Sequence, residues 1–407
     1  MQSATTATAD HRTVPVWRAT LSGLCANLVG VGLARFAYTP IIPVLIAAQW
    51  FVPSQAAYLG AANLAGYLAG ALLARPLAAR IAPAALLRAM MLVTAASFFA
   101  CAHPLSFAWF FGWRFAAGFG GGALMVVAAP AIMPHVPASQ RGIVSGAIFA
   151  GVGLGIAASG TLVALLLRQG LVETWYSLGT LALLLTAAAW SGWPRGAGTS
   201  GATKARGVRA GATLRALYVE YGLSAVGLVP HMVFLVDFIA RGRGLGIELG
   251  ARYWVLFGVS AIAGPVLLGF AADRIGFRLM LRLAFAVDAA AIALALVDAP
   301  LALAASSMIV GASVSGVVPL ALGRVRELVH DEALQRHAWS TCTVAFAVGQ
   351  AVAAYGFSYV FAQTDGAYVA LFAIGAGAFA LALALDLGAA VVSRLVRRSG
   401  VANGSPQ

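Results

Sequence analysis

The sequence predicts an all-α membrane protein with twelve transmembrane helices in two pseudo-symmetric six-helix bundles. Three observations lead to this prediction. Of the 407 residues, 61% are hydrophobic and 10% are charged, with a mean hydropathy of +0.90, whereas soluble domains carry about 25% charged residues. The apolar residues form runs long enough to cross a bilayer, and most cationic residues lie between the runs.

The membrane spans can be counted because crossing about 30 Å of hydrocarbon takes about 20 mostly apolar residues. Twelve such runs lie near residues 17–46, 55–75, 85–103, 106–131, 142–167, 172–193, 214–240, 251–272, 279–298, 301–322, 338–361 and 366–391. The first fifteen residues are polar and lack the short apolar core of a signal peptide. We therefore expect the first span itself to insert the chain.

The cationic residues divide unequally between the two sets of loops. Twenty of the 26 lysines and arginines fall on the side of the N-terminus, and four, Arg168, Arg241, Arg243 and Arg252, fall on the other. The positive-inside rule then places both termini in the cytoplasm. The net charge of +13 is scattered over short loops and forms no basic aromatic face, so we expect a lipid bilayer around the protein and no nucleic-acid partner.

The longest polar interval separates the sixth and seventh spans. It is rich in Gly, Thr and basic residues, as expected of a flexible linker, and it divides the chain into an N-terminal bundle (1–193), a cytoplasmic linker (194–213) and a C-terminal bundle with a short tail (214–407). A repeated segment supports the division. Residues 70–80 after the second span have a fuller counterpart at residues 269–278 after the eighth.

The second copy of this repeat carries a family motif. It reads Gly-x-x-x-Asp-Arg-x-Gly followed by a basic residue, at Gly269, Asp273, Arg274, Gly276 and Arg278. Together with twelve spans, this motif resembles the major facilitator superfamily of secondary transporters. The resemblance implies two bundles that move around a central cavity, no enzymatic activity and no cofactor. It also implies a cytoplasmic gate formed by Gly269, Asp273, Arg274 and Arg278.

The first copy departs from the motif, with Ala74 in place of the acid and Leu77 in place of the second glycine. In the first span, the string Gly-Leu-Ala-Arg-Phe-Ala-Tyr-Thr-Pro at residues 32–40 further resembles the YbfB/YjiJ branch of bacterial transporters. That resemblance implies a transporter of the bacterial inner membrane with a small-molecule substrate, without indicating which one.

Two arginines lie deep inside predicted spans of the first half, away from the span ends, Arg35 in span one and Arg114 in span four. A mid-membrane arginine costs about 2.5–3.5 kcal/mol even on the lenient insertion scale, so it normally faces a cavity or a partner. Helical spacing puts Asn27 and Tyr38 on the face of Arg35. No Asp or Glu occurs from His11 through Val172. Carbonyls and water, acids from the second half, or an anionic ligand must therefore satisfy the two arginines.

The last of these options is our functional hypothesis. The guanidinium group of arginine can donate two parallel hydrogen bonds to a carboxylate. Transporter substrates bind near the midplane between the two halves. We therefore expect a secondary active transporter for a small organic anion, a monocarboxylate or sugar acid, with Arg35 as anchor and Arg114 as second anchor or organiser. The alternative is an exporter of apolar or cationic compounds, in which both arginines are structural. A third class is a membrane sensor or assembly protein that transports nothing.

The seventh span carries a polar stripe of Glu220, Ser224, Gly227 and His231 at helical spacing. His231 aligns with Arg35 in the repeat, so we expect it to face the same cavity. A histidine there can titrate and move a proton, and Glu220 is the second candidate for proton coupling. The alternative for His231 is a hydrogen bond to a helix carbonyl beside the preceding proline.

The remaining polar positions complete the candidate site. Asn63 and Gln350 are candidate hydrogen-bonding residues for the substrate. Asp237 is expected to form an ion pair or an outer gate, and Asp288 is left without a role. The three cysteines lie in apolar runs without metal-ligand or disulfide spacing. We therefore predict no metal site and no catalytic residue, and we expect a monomer.

Overall fold

The computed structural model describes residues 14–194, 211–364 and 366–402 as an all-α protein. Most of the predicted linker (194–213) lies outside this part of the chain. Twelve long helices follow one another in the order α1 Val16–Ala47, α2 Pro53–Arg80, α3 Pro83–Cys101, α4 Phe107–His135, α5 Arg141–Leu166, α6 Leu171–Ala189, α7 Ala212–Gly242, α8 Ile247–Ile275, α9 Phe277–Leu294, α10 Pro300–Leu328, α11 Glu332–Gln363 and α12 Tyr368–Ala402.

The helices agree with the predicted spans one for one. Eleven of them in the described residues are long and apolar enough to cross a membrane. The twelfth, α9, has 18 residues and includes Arg278, Arg282 and Asp288. It matches the predicted ninth span, so the all-α prediction with twelve spans is confirmed.

Local sequence explains several helix ends. Proline occupies the first turn of α2, α3 and α10, where its missing N–H costs nothing. The hydroxyl of Ser106 accepts a hydrogen bond from the backbone of Trp109 (3.1 Å) and caps α4. Between α8 and α9, Gly276 has φ +88°, a conformation that strains residues with a Cβ. The second glycine of the loop motif is therefore required by the turn itself.

Glycines let the central helices approach until their backbones touch. A Cβ at Gly118 of α4 would lie 1.9 Å from the carbonyl oxygen of Asn63 in α2. In the second half, a Cβ at Gly264 of α8 would lie 2.0 Å from the carbonyl oxygen of Ala312 in α10. The α2–α4 and α8–α10 pairs thus pack in the same way, through small residues at the helix interface.

The first six and the last six helices meet mainly through α5 with α8 and α2 with α11. On α5, Gly153 packs against Ile262 of α8, whereas a Cβ at Gly146, two turns earlier on the same face, would meet nothing within 4 Å. On α8, Gly269 lies two turns beyond Ile262 and is equally open. The two sets of helices are therefore in contact at mid-depth along this pair, whereas Gly146 and Gly269, toward the start of α5 and the end of α8, make no such contact.

Candidate substrate-binding site

A small cavity lies where α1, α2, α4 and α7 meet. It is lined by Arg35, Tyr38, Thr39, Gly60, Asn63, Leu64, Arg114, Met232 and Val233. The cavity volume open to the centre of a water-sized sphere is about 10 Å³, which is room for about one water molecule, so in this conformation the residues close around the site. The structure thus brings together four of the residues expected at the site, Arg35, Tyr38, Asn63 and Arg114, although they come from three different helices.

Arg35 reaches across the interface between the two sets of helices. Its Nη2 donates to Oε1 of Gln350 in α11 at 2.7 Å, and its guanidinium lies 5.3 Å from the ring centroids of both Phe36 and Tyr67. Its Nε has no hydrogen-bond acceptor in the described residues. Arg35 therefore retains donor capacity beside the cavity, and its strongest contact is with a neutral amide.

Gln350 is held from its other side. Its Nε2 lies 3.7 Å from the sulfur of Met232, and the backbone oxygen of Met232 accepts a hydrogen bond from the hydroxyl of Thr39 at 2.6 Å. A continuous set of contacts thus joins α1, α7 and α11 beside Arg35. Any movement between the two sets of helices must alter the contact between Arg35 and Gln350.

Arg114 is more deeply enclosed, with only 2% of its surface exposed. Its Nη1 donates to the backbone oxygen of Ala34 at 2.7 Å, and its guanidinium lies 4.1 Å from the ring centroid of Tyr38. Asn63 donates to the backbone oxygens of both Ala34 and Arg114. Arg114 therefore fixes the segment that presents Arg35, while its own Nε has no acceptor among the described residues.

No carboxylate balances these two arginines in the described part of the chain. None of the cavity-lining residues is acidic. Asp237, an acid of the adjoining α7, accepts hydrogen bonds from Arg241 (2.6 and 2.9 Å) and from the hydroxyl of Tyr368 (2.5 Å). Cation–π contacts contribute about 0.5–2 kcal/mol each, which is small beside the cost of burying a charge. The site is cationic.

Asn27 is placed away from this cavity. Its side-chain Nδ2 donates to the backbone oxygen of Ile148 in α5 at 3.0 Å. The expectation that Asn27 shares a face with Arg35 assumed a regular helix, but residues Leu28–Leu33 form a π-helical segment. Such a segment adds a residue to the turn, and one residue rotates a helix face by about 100°. The two side chains therefore point to different neighbours.

His231 also lies outside the cavity. Its Nε2 is 2.8 Å from the hydroxyl of Ser306 in α10, and its ring packs edge-on against Phe372 of α12. It belongs to the π-helical segment Pro230–Phe234, and the next two residues, Met232 and Val233, line the cavity instead. The structure thus favours neither the cavity position expected for His231 nor the expected helix-carbonyl bond. The histidine is bound within the last six helices.

Glu220 is buried near the end of α7 that lies on the side of the termini. It interacts electrostatically with Asp386, Arg324, Arg282 and Arg278. It is thus separated from the cavity along α7 and belongs to a charged cluster between α7, α9, α10 and α12.

The motif residues lie at the α8–α9 turn. Asp273 and Arg274 are exposed, the guanidinium of Arg274 lies 3.8 Å from the ring centroid of Phe270, and Asp273 forms no ion pair within the described ranges. Gly269 is open and Arg278 is half-buried. Asp273 therefore holds no neighbouring helix through an ion pair in this conformation, within the described part of the chain.

Three residues were missed by the sequence analysis, two beside the cavity and one at the motif turn. Thr39 and Met232 are ordinary members of apolar runs, and no spacing rule singles them out. Glu327 accepts hydrogen bonds from the backbone of Phe277 (3.0 Å) and from Arg324 (2.8 Å), so it ties the motif turn to α10. Glu327 could have been found from the sequence, because it is an acidic residue at the end of a span and the motif loop is basic.

Twelve helices around a cationic cavity at the interface of two helix sets define a membrane transporter of the major facilitator type. A family model described as "Uncharacterised MFS-type transporter YbfB" matches residues 27–387. The chain therefore belongs to the YbfB family of MFS-type transporters, whose members are transporters and not enzymes. No curated protein matches the chain.

Solved structures show the same fold. A D-xylose-proton symporter is 17% identical, with a TM-score of 0.69, over 91% of this chain and 96% of that one. The nucleoside transporter NupG is 12% identical, with a TM-score of 0.74, over 91% and 99%. A bacterial homologue of the human lysosomal transporter Spinster, inward-facing and occupied, is 16% identical, with a TM-score of 0.68, over 94% and 96%. The predicted major facilitator fold is confirmed.

Proposed function

We propose that this transporter moves a small organic anion, a monocarboxylate or a sugar acid, and that Arg35 is its anchor. The observation that carries the proposal is the pair of arginines at the cavity, neither of which forms an ion pair with a carboxylate of the described residues. An organic anion supplies the missing charge. A guanidinium can also hold both oxygens of a carboxylate at once, which gives the contact geometric specificity.

The environments of the two arginines support different roles. Arg35 is half-buried and its main partner is the neutral side chain of Gln350, which a carboxylate can replace. Arg114 is nearly inaccessible and bonds to the backbone of Ala34. Arg35 is therefore the anchor for the anion. Arg114 holds the Arg35 segment in place and adds positive potential.

The transport cycle that fits these features is alternating access between an N-terminal bundle (1–193) and a C-terminal bundle (214–407) joined by the linker (194–213). With both termini in the cytoplasm of a bacterial cell, the open positions at Gly146 and Gly269 lie toward the cytoplasmic ends of α5 and α8, where an inward-facing state of the cycle requires few contacts. The proposed cycle takes place within a single chain in the inner membrane, and we propose that the protein works as a monomer.

The proposal is tested by thermal unfolding of the purified protein in detergent. Small carboxylates and sugar acids are compared with neutral sugars and with amphiphilic cations as added ligands. We expect carboxylates to raise the unfolding temperature of the wild type, because a ligand that binds the folded state stabilises it by mass action. Arg35→Ala should lose this rise in unfolding temperature. Arg35→Lys should retain part of it, since a lysine ammonium keeps the positive charge but cannot donate the paired hydrogen bonds of a guanidinium.

The matched control is Arg168→Ala, which removes an arginine whose side chain is 71% exposed and is paired with Glu248. This variant should respond to carboxylates like the wild type. Stabilisation by cations in place of anions supports the exporter of apolar or cationic compounds. An undiminished carboxylate shift in folded Arg35→Ala contradicts the anchor.

A further inference from the structure

Asp288 is a carboxyl group that the proposed anion site does not use. It lies in the middle of α9 and none of its surface is exposed. Neither of its side-chain oxygens has a hydrogen-bond partner of acceptable geometry among the described residues. The hydroxyl of Ser313 in α10 is the neighbouring polar group. An acid in this position requires an explanation, because intramembrane carboxyl groups are costly and are functional by default.

Asp288 differs from the three other buried acids of the second half, each of which has cationic neighbours. Asp237 pairs with Arg241 at 2.6 Å, and Asp386 pairs with Arg282. Glu220 lies in the field of Arg278, Arg282 and Arg324. Within the described ranges, Asp288 forms no ion pair, so no residue there compensates a negative charge on it.

The helices packed against α9 place their charges at other depths. On α9 itself the nearest charged residue is Arg282, six positions away, which corresponds to about 9 Å along a helix. On α12 the described charged side chain is Asp386, the partner of Arg282. The ionisable groups of α10 and α8 lie near the helix ends, at Arg324, Arg326, Glu327, Glu248, Arg252, Tyr253, Asp273 and Arg274. In the described part of these helices, no cationic side chain therefore lies at the same membrane depth as Asp288.

We propose that Asp288 is a proton-binding site of the transporter and that it holds its proton in this conformation. An ionised carboxylate here costs about 2.5–3.5 kcal/mol even on the lenient insertion scale, and protonation removes that charge. The site is separate from the cavity of Arg35, because Asp288 is not among the residues that line it. It lies in the second half, so a proton and an organic anion can occupy the same molecule without competing.

The role of this proton site rests on the proposed transport function. A proton that Asp288 holds in one conformation and releases in the other couples transport to the proton gradient. The step involves only the gain and loss of one proton at a side-chain oxygen of Asp288. It also assigns proton binding to a residue other than His231, which is bonded to Ser306, and Glu220, which lies among arginines.

Infrared spectroscopy of the purified full-length protein at neutral pH, in H₂O and in D₂O, tests the site. A protonated carboxyl group has a C=O stretching band that an ionised one lacks. We expect the wild type to show this band and Asp288→Asn to lose the intensity of one carboxyl group. The control Asp298→Asn, which alters a carboxylate whose side chain is 95% exposed, should leave the band unchanged.

A second variant covers the case in which Asp288→Asn does not fold. Ser313→Ala removes the neighbouring hydroxyl and should shift the frequency of the band while keeping its intensity. The proposal is overturned if the wild type and Asp288→Asn have bands of equal intensity. It is also overturned if Ser313→Ala leaves the frequency of the band unchanged. Neither measurement uses an organic anion, so its failure leaves the proposed anion site untouched.

Discussion

Gln350→Glu should stabilise the protein against heat and weaken its response to carboxylates. Oε1 of Gln350 already lies 2.7 Å from Nη2 of Arg35, and glutamate has the same shape. The substitution therefore supplies a carboxylate at the place where the wild type has an amide. An internal carboxylate occupies the anchor, so an external anion must displace it. We expect the Kd for a carboxylate to rise about tenfold or more, equivalent to about 1.4 kcal/mol.

The control for this charge substitution is Gln350→Met, which removes the same hydrogen bond and adds no charge. It should keep the carboxylate-induced rise in unfolding temperature, because Arg35 gains no competing carboxylate. Both variants are followed by thermal unfolding and by equilibrium binding in detergent. Full carboxylate binding by folded Gln350→Glu would falsify the idea that Arg35 is the anchor.

Gly118→Ala should cause the largest loss of stability among single-methyl changes in the first half. A Cβ at Gly118 would lie 1.9 Å from the carbonyl oxygen of Asn63 and 3.0 Å from its Cα, so α2 and α4 must move apart. Overpacking of this kind costs about 1–3 kcal/mol, occasionally more. Asn63 bonds to the backbone of Arg114, so the carboxylate response should weaken as well.

Gly112→Ala is the matched control on the same helix, because a Cβ there meets nothing within 4 Å. Its stability should equal or exceed that of the wild type, since alanine is favoured over glycine in a helix by about 1 kcal/mol. Thermal unfolding monitored by size-exclusion chromatography compares the two. Equal unfolding temperatures for the two variants would show that the α2–α4 contact does not limit stability.

Much of the fold could be predicted because membrane spans are governed by length and apolarity alone. The twelve runs match twelve helices, and Gly276, identified as a motif residue, lies in the turn between α8 and α9 with a φ of +88°. In the site, Arg35, Tyr38, Asn63 and Arg114 were identified from their polarity, since buried charged and polar groups in apolar helices must meet a cavity or one another.

The orientations of Asn27 and His231 could not be predicted, because they depend on backbone irregularities. The π-helical segments Leu28–Leu33 and Pro230–Phe234 break the regular spacing on which face assignments rest. The contact of Arg35 with Gln350 joins residues 315 positions apart, so no local pattern reveals it. Tertiary packing determined these details.

The central claim is that the ligand supplies the negative charge that the cavity lacks. Its most direct test is the affinity of the wild-type protein in detergent for a carboxylate and for its uncharged amide, with lactate and lactamide as the first pair and sugar acids with their amides following. We predict tighter binding of the carboxylate by about tenfold or more, a difference of about 1.4 kcal/mol. Equal affinities for the two members of each pair that binds would contradict the account.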